Sequence, residues 1–253
     1  MKRSAWMILM AAFSTGVLAT IVQFSIPPIL PLVKDQYEVT YTGSALLMSL
    51  FALATVAAAV PGGFIVQRYG VRKIGLAGIG FLFFGIIICL LAHHFPLLLF
   101  GRIIAGIGFG LVSVAAPSAI GHYIPANMMS VAMGIWSTWI PVGSLLMFLS
   151  APKFVLTFGS DIFWVAIMVL LLAGFLFYAK MIPKQEQQNK QEVLQENAAN
   201  MAKDDLVSEI KNKNVWWAAL AFTSFTFAFF SFNTWISTYL TETTSMNLTI
   251  ATF

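Results

Sequence analysis

The sequence predicts an all-α, polytopic membrane protein: a bundle of helices whose solvent is mostly lipid. Three observations predict it. Hydrophobic residues make up 59% of the 253-residue chain and charged residues 9%, against roughly a quarter charged in a soluble domain, so a globular surface cannot be covered. Seven apolar runs reach the length of about 20 residues that a helix needs to cross a hydrocarbon core. Most links between the runs are short, which makes consecutive runs antiparallel neighbours.

The runs fall at about 5–26, 42–66, 74–92, 96–120, 130–150, 162–182 and 215–240. The first follows Met1-Lys2-Arg3 and is too long for the core of a signal peptide, so it reads as a retained first helix. Runs two and three are joined by a tight basic turn, Gln67-Arg68-Tyr69-Gly70-Val71-Arg72-Lys73, in which Gly70 supplies a positive φ without Cβ strain. The first six runs make one unit over 1–182. Residues 183–214, rich in Gln and charge, read as a cytoplasmic linker, closing with Leu206, Val207 and Ile210 on one side of a short surface helix. Residues 215–253 hold the seventh span and the first turns of an eighth.

Lysine and arginine orient the bundle. With the N-terminus inside, eleven of the fourteen cations face the cytoplasm, Lys34 and Lys153 lie outside, and Arg102 lies within the fourth run. The opposite topology is disfavoured by the excess of basic residues on cytoplasmic loops. The formal charge of +4 therefore belongs to loops and is no nucleic-acid footprint. Cys89, the single cysteine, sits in an apolar run and excludes an internal disulfide framework. No run carries paired His or paired acids, so neither a metal nor a cofactor is expected, and an intramembrane enzyme is the weakest reading.

Two stretches carry a resemblance. Gly63, three residues, Gln67-Arg68, one residue, Gly70, then Val71-Arg72-Lys73 resembles the loop signature between the second and third helices of the major facilitator superfamily. Gln67 stands where that signature has Asp, and Val71 stands at its first basic position. Gly101-Arg102, followed by Gly106, Gly108 and Gly110, resembles the fourth-helix motif of the same superfamily. Six spans, a polar linker and further spans match its two-halved layout, each half a pair of three-helix inverted repeats. The resemblance implies a secondary transporter that moves a small solute by alternating access, with or without a coupling proton or other ion. It also implies that most of a C-terminal half is missing from this chain.

Arg102 is the one Lys, Arg, Asp or Glu well inside a run. A charge at that depth faces a cavity or a partner, or snorkels to the interface. The resemblance places Arg102 on the central cavity, with Thr20 and Gln23 from the first span and Asn233 and Trp235 from the seventh, groups that read equally well as interhelical hydrogen bonds; Ser113 follows Arg102 at helical spacing on one polar, small-residue face of the fourth run. It makes Gly63, Gln67, Arg68, Gly70, Arg72 and Lys73 a latch on the cytoplasmic side. Gly106 and Gly110, at a spacing that lets membrane helices approach closely, read as packing positions. Gly134, Pro141 and Gly143 mark a kink or packing site in the fifth span, since Pro141 leaves the carbonyl of Ser137 without its helical donor. The lone buried cation gives a mild preference for an organic or inorganic anion. A drug or metabolite exporter is the alternative substrate class, and a truncated scaffold that transports nothing is the alternative function.

Overall fold

The computed structural model describes residues 2–183, 213–244 and 246–251. Among these residues it is helical with no strand, and seven helical spans are long and apolar enough to cross a membrane. The elements are α1 (Lys2–Gln23), a 3-10 turn (Pro27–Ile29), α2 (Leu30–Gln36), α3 (Tyr41–Tyr69), α4 (Val71–Leu90) and α5 (Phe95–Tyr123). A second 3-10 turn (Ala126–Met128) leads into α6 (Met129–Ser137), α7 (Trp139–Phe158) and α8 (Ser160–Met181). The seventh span is α9 (Lys213–Thr243), followed by one turn, α10 (Leu248–Ala251). Most of the expected linker, with Leu206, Val207 and Ile210 of its expected surface helix, lies outside the described residues.

Two boundaries differ from the sequence reading. The first run is not one helix ending at residue 26. It stops at Gln23, turns through Pro27–Ile29 and resumes as α2 to Gln36, a composite span of 32 residues. Pro27 and Pro28 have no N–H to donate four residues back, so the carbonyls of Gln23 and Phe24 lose their helical donors there. The fifth run ends not at 150 but at Phe158, carrying Pro152 and Lys153 inside α7. The charge of Lys153 reads as a loop marker in the sequence, yet near a span end its stem can follow the helix to the interface.

The connections at the two ends of the bundle repeat one design. Between α3 and α4 stands the single residue Gly70, with φ +86° and ψ 152°. Between α7 and α8 stands Gly159, with φ +86° and ψ 166°. This region of backbone space is essentially reserved for glycine. Each glycine N–H donates to the residue four back at 2.8 Å (Val66 and Val155), and each glycine carbonyl accepts from the residue four ahead at 3.3 Å (Ile74 and Phe163). The two turns lie three spans apart and at opposite ends of the bundle, as an inverted three-plus-three repeat requires.

Packing does not rest on a hydrophobic drive, because lipid is as apolar as the helix faces. It rests on close approach. A Cβ on Gly106 would lie 2.5 Å from the Phe51 carbonyl oxygen, and one on Gly110 would lie 2.5 Å from that of Thr55. These two seat α5 on α3. On another face, a Cβ on Gly108 would lie 2.6 Å from both the Gly78 oxygen and the Leu82 nitrogen, and one on Gly101 would lie 2.9 Å from the Gly85 oxygen. That face seats α5 on α4. At Gly106 and Gly110 the backbone of α3 leaves no room for a side chain.

Candidate functional site

The site is built around the break in the first span. Arg102 projects from α5 and is fully buried. Its Nη2 donates to the Gln23 carbonyl at 2.9 Å, the acceptor that Pro27 leaves free. Its Nη1 donates to the Val22 carbonyl at 2.7 Å, and its Nε reaches the Leu47 carbonyl at 3.4 Å. The guanidinium also lies 4.3 Å over the ring of Phe51. A planar fork of five donors suits a helix end with unpaired carbonyls, where a positive charge also meets the negative end of the helix dipole. Among the described residues no carboxylate pairs with Arg102. The cavity-lining position expected for Arg102 is therefore corrected: in this conformation it holds the end of α1, and it does not snorkel.

A ladder of rings runs from Arg102 toward the basic-turn end. Phe51 meets Phe109 at 5.5 Å, Phe109 meets Trp139 at 5.4 Å, and Trp139 stacks on Trp136 at 4.9 Å and 17°. Both indoles sit against Gly16 of α1, where a Cβ would come within 3 Å of them. Trp136 and Trp139 flank Thr138, where the fifth span breaks into α6 and α7. Pro141 follows that boundary by three residues, and the Val142 N–H donates to the Thr138 carbonyl at 3.0 Å.

The seventh span touches the six-span body away from the basic turn. Phe24, beside the α1 break, stacks on Phe230 at 5.9 Å and meets Phe229 edge-on at 6.4 Å. Further along, Lys34 of α2 pairs with Glu242 of α9 at 2.7 Å, and the Tyr41 hydroxyl donates to the other carboxylate oxygen at 2.5 Å. Lys34 also lies 4.0 Å over the Tyr41 ring, which contacts Trp235. Between these contacts Ser237 and Thr238 are buried, and neither hydroxyl has a partner among the described residues. The first half of α9 is exposed, Trp216, Trp217, Leu220 and Phe225 included.

The basic turn is fixed to the sixth span. Arg72 donates to the Ala179 carbonyl in the last turn of α8, and the Tyr178 hydroxyl donates to the Val71 carbonyl at 3.0 Å. Gly70 is buried, while Gln67, Arg68 and Lys73 are exposed and Gly63 has open space where a Cβ would stand. At the other end of α4, the Tyr37 hydroxyl donates to the Ala92 carbonyl at 2.6 Å.

The remaining predicted positions divide. Thr20 is fully buried, donates to the Gly16 carbonyl at 3.1 Å and lies 2.5 Å from a Cβ on Gly143. It is a packing residue between α1 and α7, as Gly143 is, and lines no cavity here. Gln23 is buried with its Oε1 unpartnered among the described residues. Ser113 and Asn233 are half-buried and donate to carbonyls of their own helices, while Trp235 is half-buried against Tyr41. A Cβ on Gly134 would meet nothing within 4 Å among the described residues, so its expected packing role is corrected. Sequence reading missed Lys34, Tyr41, Glu242, Ser237, Thr238 and the Trp136–Trp139 stack. The one legible signal among them was Pro27-Pro28, which announces a break that α9 then covers.

Comparison with known proteins places this geometry. The family model described as Major Facilitator Superfamily matches residues 12–253. The chain is 28% identical over 233 residues to probable anion transporter 6, chloroplastic, of Arabidopsis thaliana, covering 86% of this chain and 44% of the relative. It is 23% identical over 239 residues to the hexuronate transporter of Bacillus subtilis, covering 93% and 56%. The chain thus spans about half the length of the curated relatives it matches. A bacterial homolog of the human lysosomal transporter Spinster superposes with a TM-score of 0.75 at 17% identity, over 100% of this chain and 58% of that one. A D-xylose–proton symporter gives 0.69 at 15% identity, over 98% and 64%.

Proposed function

This chain belongs to the Major Facilitator Superfamily, and we propose that it moves a small organic or inorganic anion across the cell membrane by alternating access. The observation that carries the anion is the full burial of Arg102 with no carboxylate partner among the described residues. Carbonyl dipoles stabilise its guanidinium but do not cancel its unit charge, and no carboxylate among the described residues does so. At 10 Å and an effective dielectric near 20, such a charge still favours an anion by about 1.7 kcal/mol. The charge that shapes α1 then also sets the sign of the solute. The relatives named as an anion transporter and a hexuronate transporter favour the same reading.

Alternating access fits the placement of α9. Its contacts with the six-span body lie toward Glu242, and its first half stands exposed. With the basic turn on the cytoplasmic side, this is a state closed outward and open inward. Arg68, Gly70, Arg72 and Lys73, with Gly63 and Gln67, form the inner latch in this reading, engaging a second helical half when the inner side closes. Gln23, Ser113, Asn233 and Trp235 face the path in one or other state. A coupling proton needs a carboxylate outside the first six spans, whose cores hold none among the described residues.

Vesicle uptake tests the proposal. Protein-containing vesicles should take up a labelled carboxylate or sugar acid in preference to its neutral analogue, by at least several-fold. Equal uptake of the two would remove the anion, and no flux of any member of the panel would remove the transporter.

A further inference from the structure

A cavity of about 610 Å³ stands at the end of the bundle opposite the basic turn, walled by α2, the end of α4 and the start of α8. Its size falls within the range of about 300–1,000 Å³ usual for small-molecule sites. It lies apart from α9, because α2 presents two faces. Val33, Gln36 and Tyr37, at helical spacing, line the cavity, while Lys34 turns to Glu242 of α9.

The lining divides by depth. The floor is apolar, and its Val33, Cys89, Leu98 and Trp164 are all buried. The rim is polar, and its Gln36, His93 and Asp161 are exposed. Asp161 is the one Asp, Glu, Lys or Arg among the described lining residues, and no cation pairs with it among the described residues. The nearest lysines along the chain are turned elsewhere. Lys34 is held by Glu242. Lys153 precedes the lining Val155 by two positions, roughly 200° round α7 from it. Two further carboxylates, Asp35 and Glu38, bracket Gln36 and Tyr37 in the chain. The rim therefore attracts positive charge. The floor does not, because Arg102 follows Leu98 by one turn of α5 and repels a second cation from that depth.

A carboxylate rim over an apolar floor suits a molecule with two ends. We infer that this cavity binds an amphiphilic organic cation, its ammonium head at Asp161 and its apolar body on Val33, Cys89, Leu98 and Trp164. An ethanolamine lipid and a free alkylammonium share this chemistry. The site needs neither the anion nor the transport reading above. Its occupant would span α2, α4 and α8, adding to the tie that the Tyr37 hydroxyl already makes to the Ala92 carbonyl.

Cys89, the single cysteine, reports occupancy of the floor. In vesicles of phosphatidylglycerol, whose head has no amine, the neutral reagent methyl methanethiosulfonate should modify Cys89. Decyltrimethylammonium should slow that modification saturably, by about five-fold or more, and decyl sulfate, with the same chain and the opposite charge, should not. Asp161→Asn should abolish the protection, and Lys153→Gln, at the same end of the bundle, should leave it unchanged. Adding phosphatidylethanolamine to the vesicles separates the two sources. Slower modification without decyltrimethylammonium, restored by Asp161→Asn, means that a lipid head fills the site; an unchanged rate means that a free cation does. Absence of protection by both sources, or protection equal with decyl sulfate or in Asp161→Asn, would overturn the site. So would failure of both Cys89 and a Val33→Cys reporter in a Cys89→Ala background to react, because the cavity would then be closed. Loss of anion preference in the uptake assay leaves this site standing, and loss of protection leaves the transport reading standing.

Discussion

The interface of α3, α4 and α5 and the interface of α9 with the first span use opposite means. In the first, backbones touch through Gly78, Gly85, Gly101, Gly106, Gly108 and Gly110, and no added carbon can be admitted without moving a main chain. In the second, contact runs through ring faces and one partly exposed ion pair. Close backbone approach gives many dispersion contacts and a single register. Ring faces and ion pairs at the end of a helix can separate without unpairing a backbone group. The comparison divides the molecule into a body held by close backbone contact and a seventh helix held to it by ring faces and one ion pair.

The largest expected effect breaks the body. Gly108→Ala sets a carbon 2.6 Å from two backbone atoms of α4. Overpacking costs typically 1–3 kcal/mol and occasionally more, and neighbours that are backbone rather than side-chain tips put this change at roughly 3 kcal/mol. Its thermal midpoint in detergent should fall well below that of Gly134→Ala, which adds the same carbon to open space and should leave the midpoint near the parent. Equal midpoints for the two would remove the distinction between gripped and loose glycines.

Next comes Arg102→Met, which keeps most of the stem and removes the fork. The Gln23 carbonyl then loses its donor, at about 1–3 kcal/mol for an unsatisfied group, partly offset because a charge no longer has to be buried, while the Val22 carbonyl keeps the Ser25 hydroxyl at 2.7 Å. A net loss of about 2 kcal/mol is expected. Arg102→Lys should recover only part of it, since one ammonium cannot serve both carbonyls in the plane that guanidinium does. The midpoints of the three proteins check this, and full recovery with Lys would show that charge alone is at work there.

What the sequence discloses follows from the range of the forces. Apolar run length and cation placement are local, so the spans could be read directly, as could Gly70, whose turn leaves no room for another backbone. Glycine spacing in α5 showed that something packs there, but not that two faces serve two neighbours. Arg102 stood out as a buried charge, yet its partners are backbone carbonyls released by Pro27, and a carbonyl has no letter of its own. The connection could have been drawn by asking what takes up the acceptor that Pro27 abandons. Lys34 and Glu242, separated by 208 positions, look like ordinary span-end charges, and only the fold makes them a pair. Gly159 was hidden because the apolar run before it seemed to end at 150.

The smallest effect on stability should come from the seam between α9 and the first span. Lys34→Met removes an ion pair whose members are 21% and 39% exposed, and such pairs are typically worth about 0.2–1 kcal/mol. The Tyr41 hydroxyl still donates to Glu242, so the carboxylate keeps one partner. The methionine stem can cover much of the apolar surface that the lysine stem covers now. The thermal midpoint should therefore move by less than a third of the shift seen with Gly108→Ala. The body provides the reason: melting reports the interfaces whose loss unfolds the protein, and α9 can leave its seam while α3, α4 and α5 stay locked. A drop in midpoint as large as that of Gly108→Ala would mean that α9 is part of the body, and that its exposed half turns on something other than this seam.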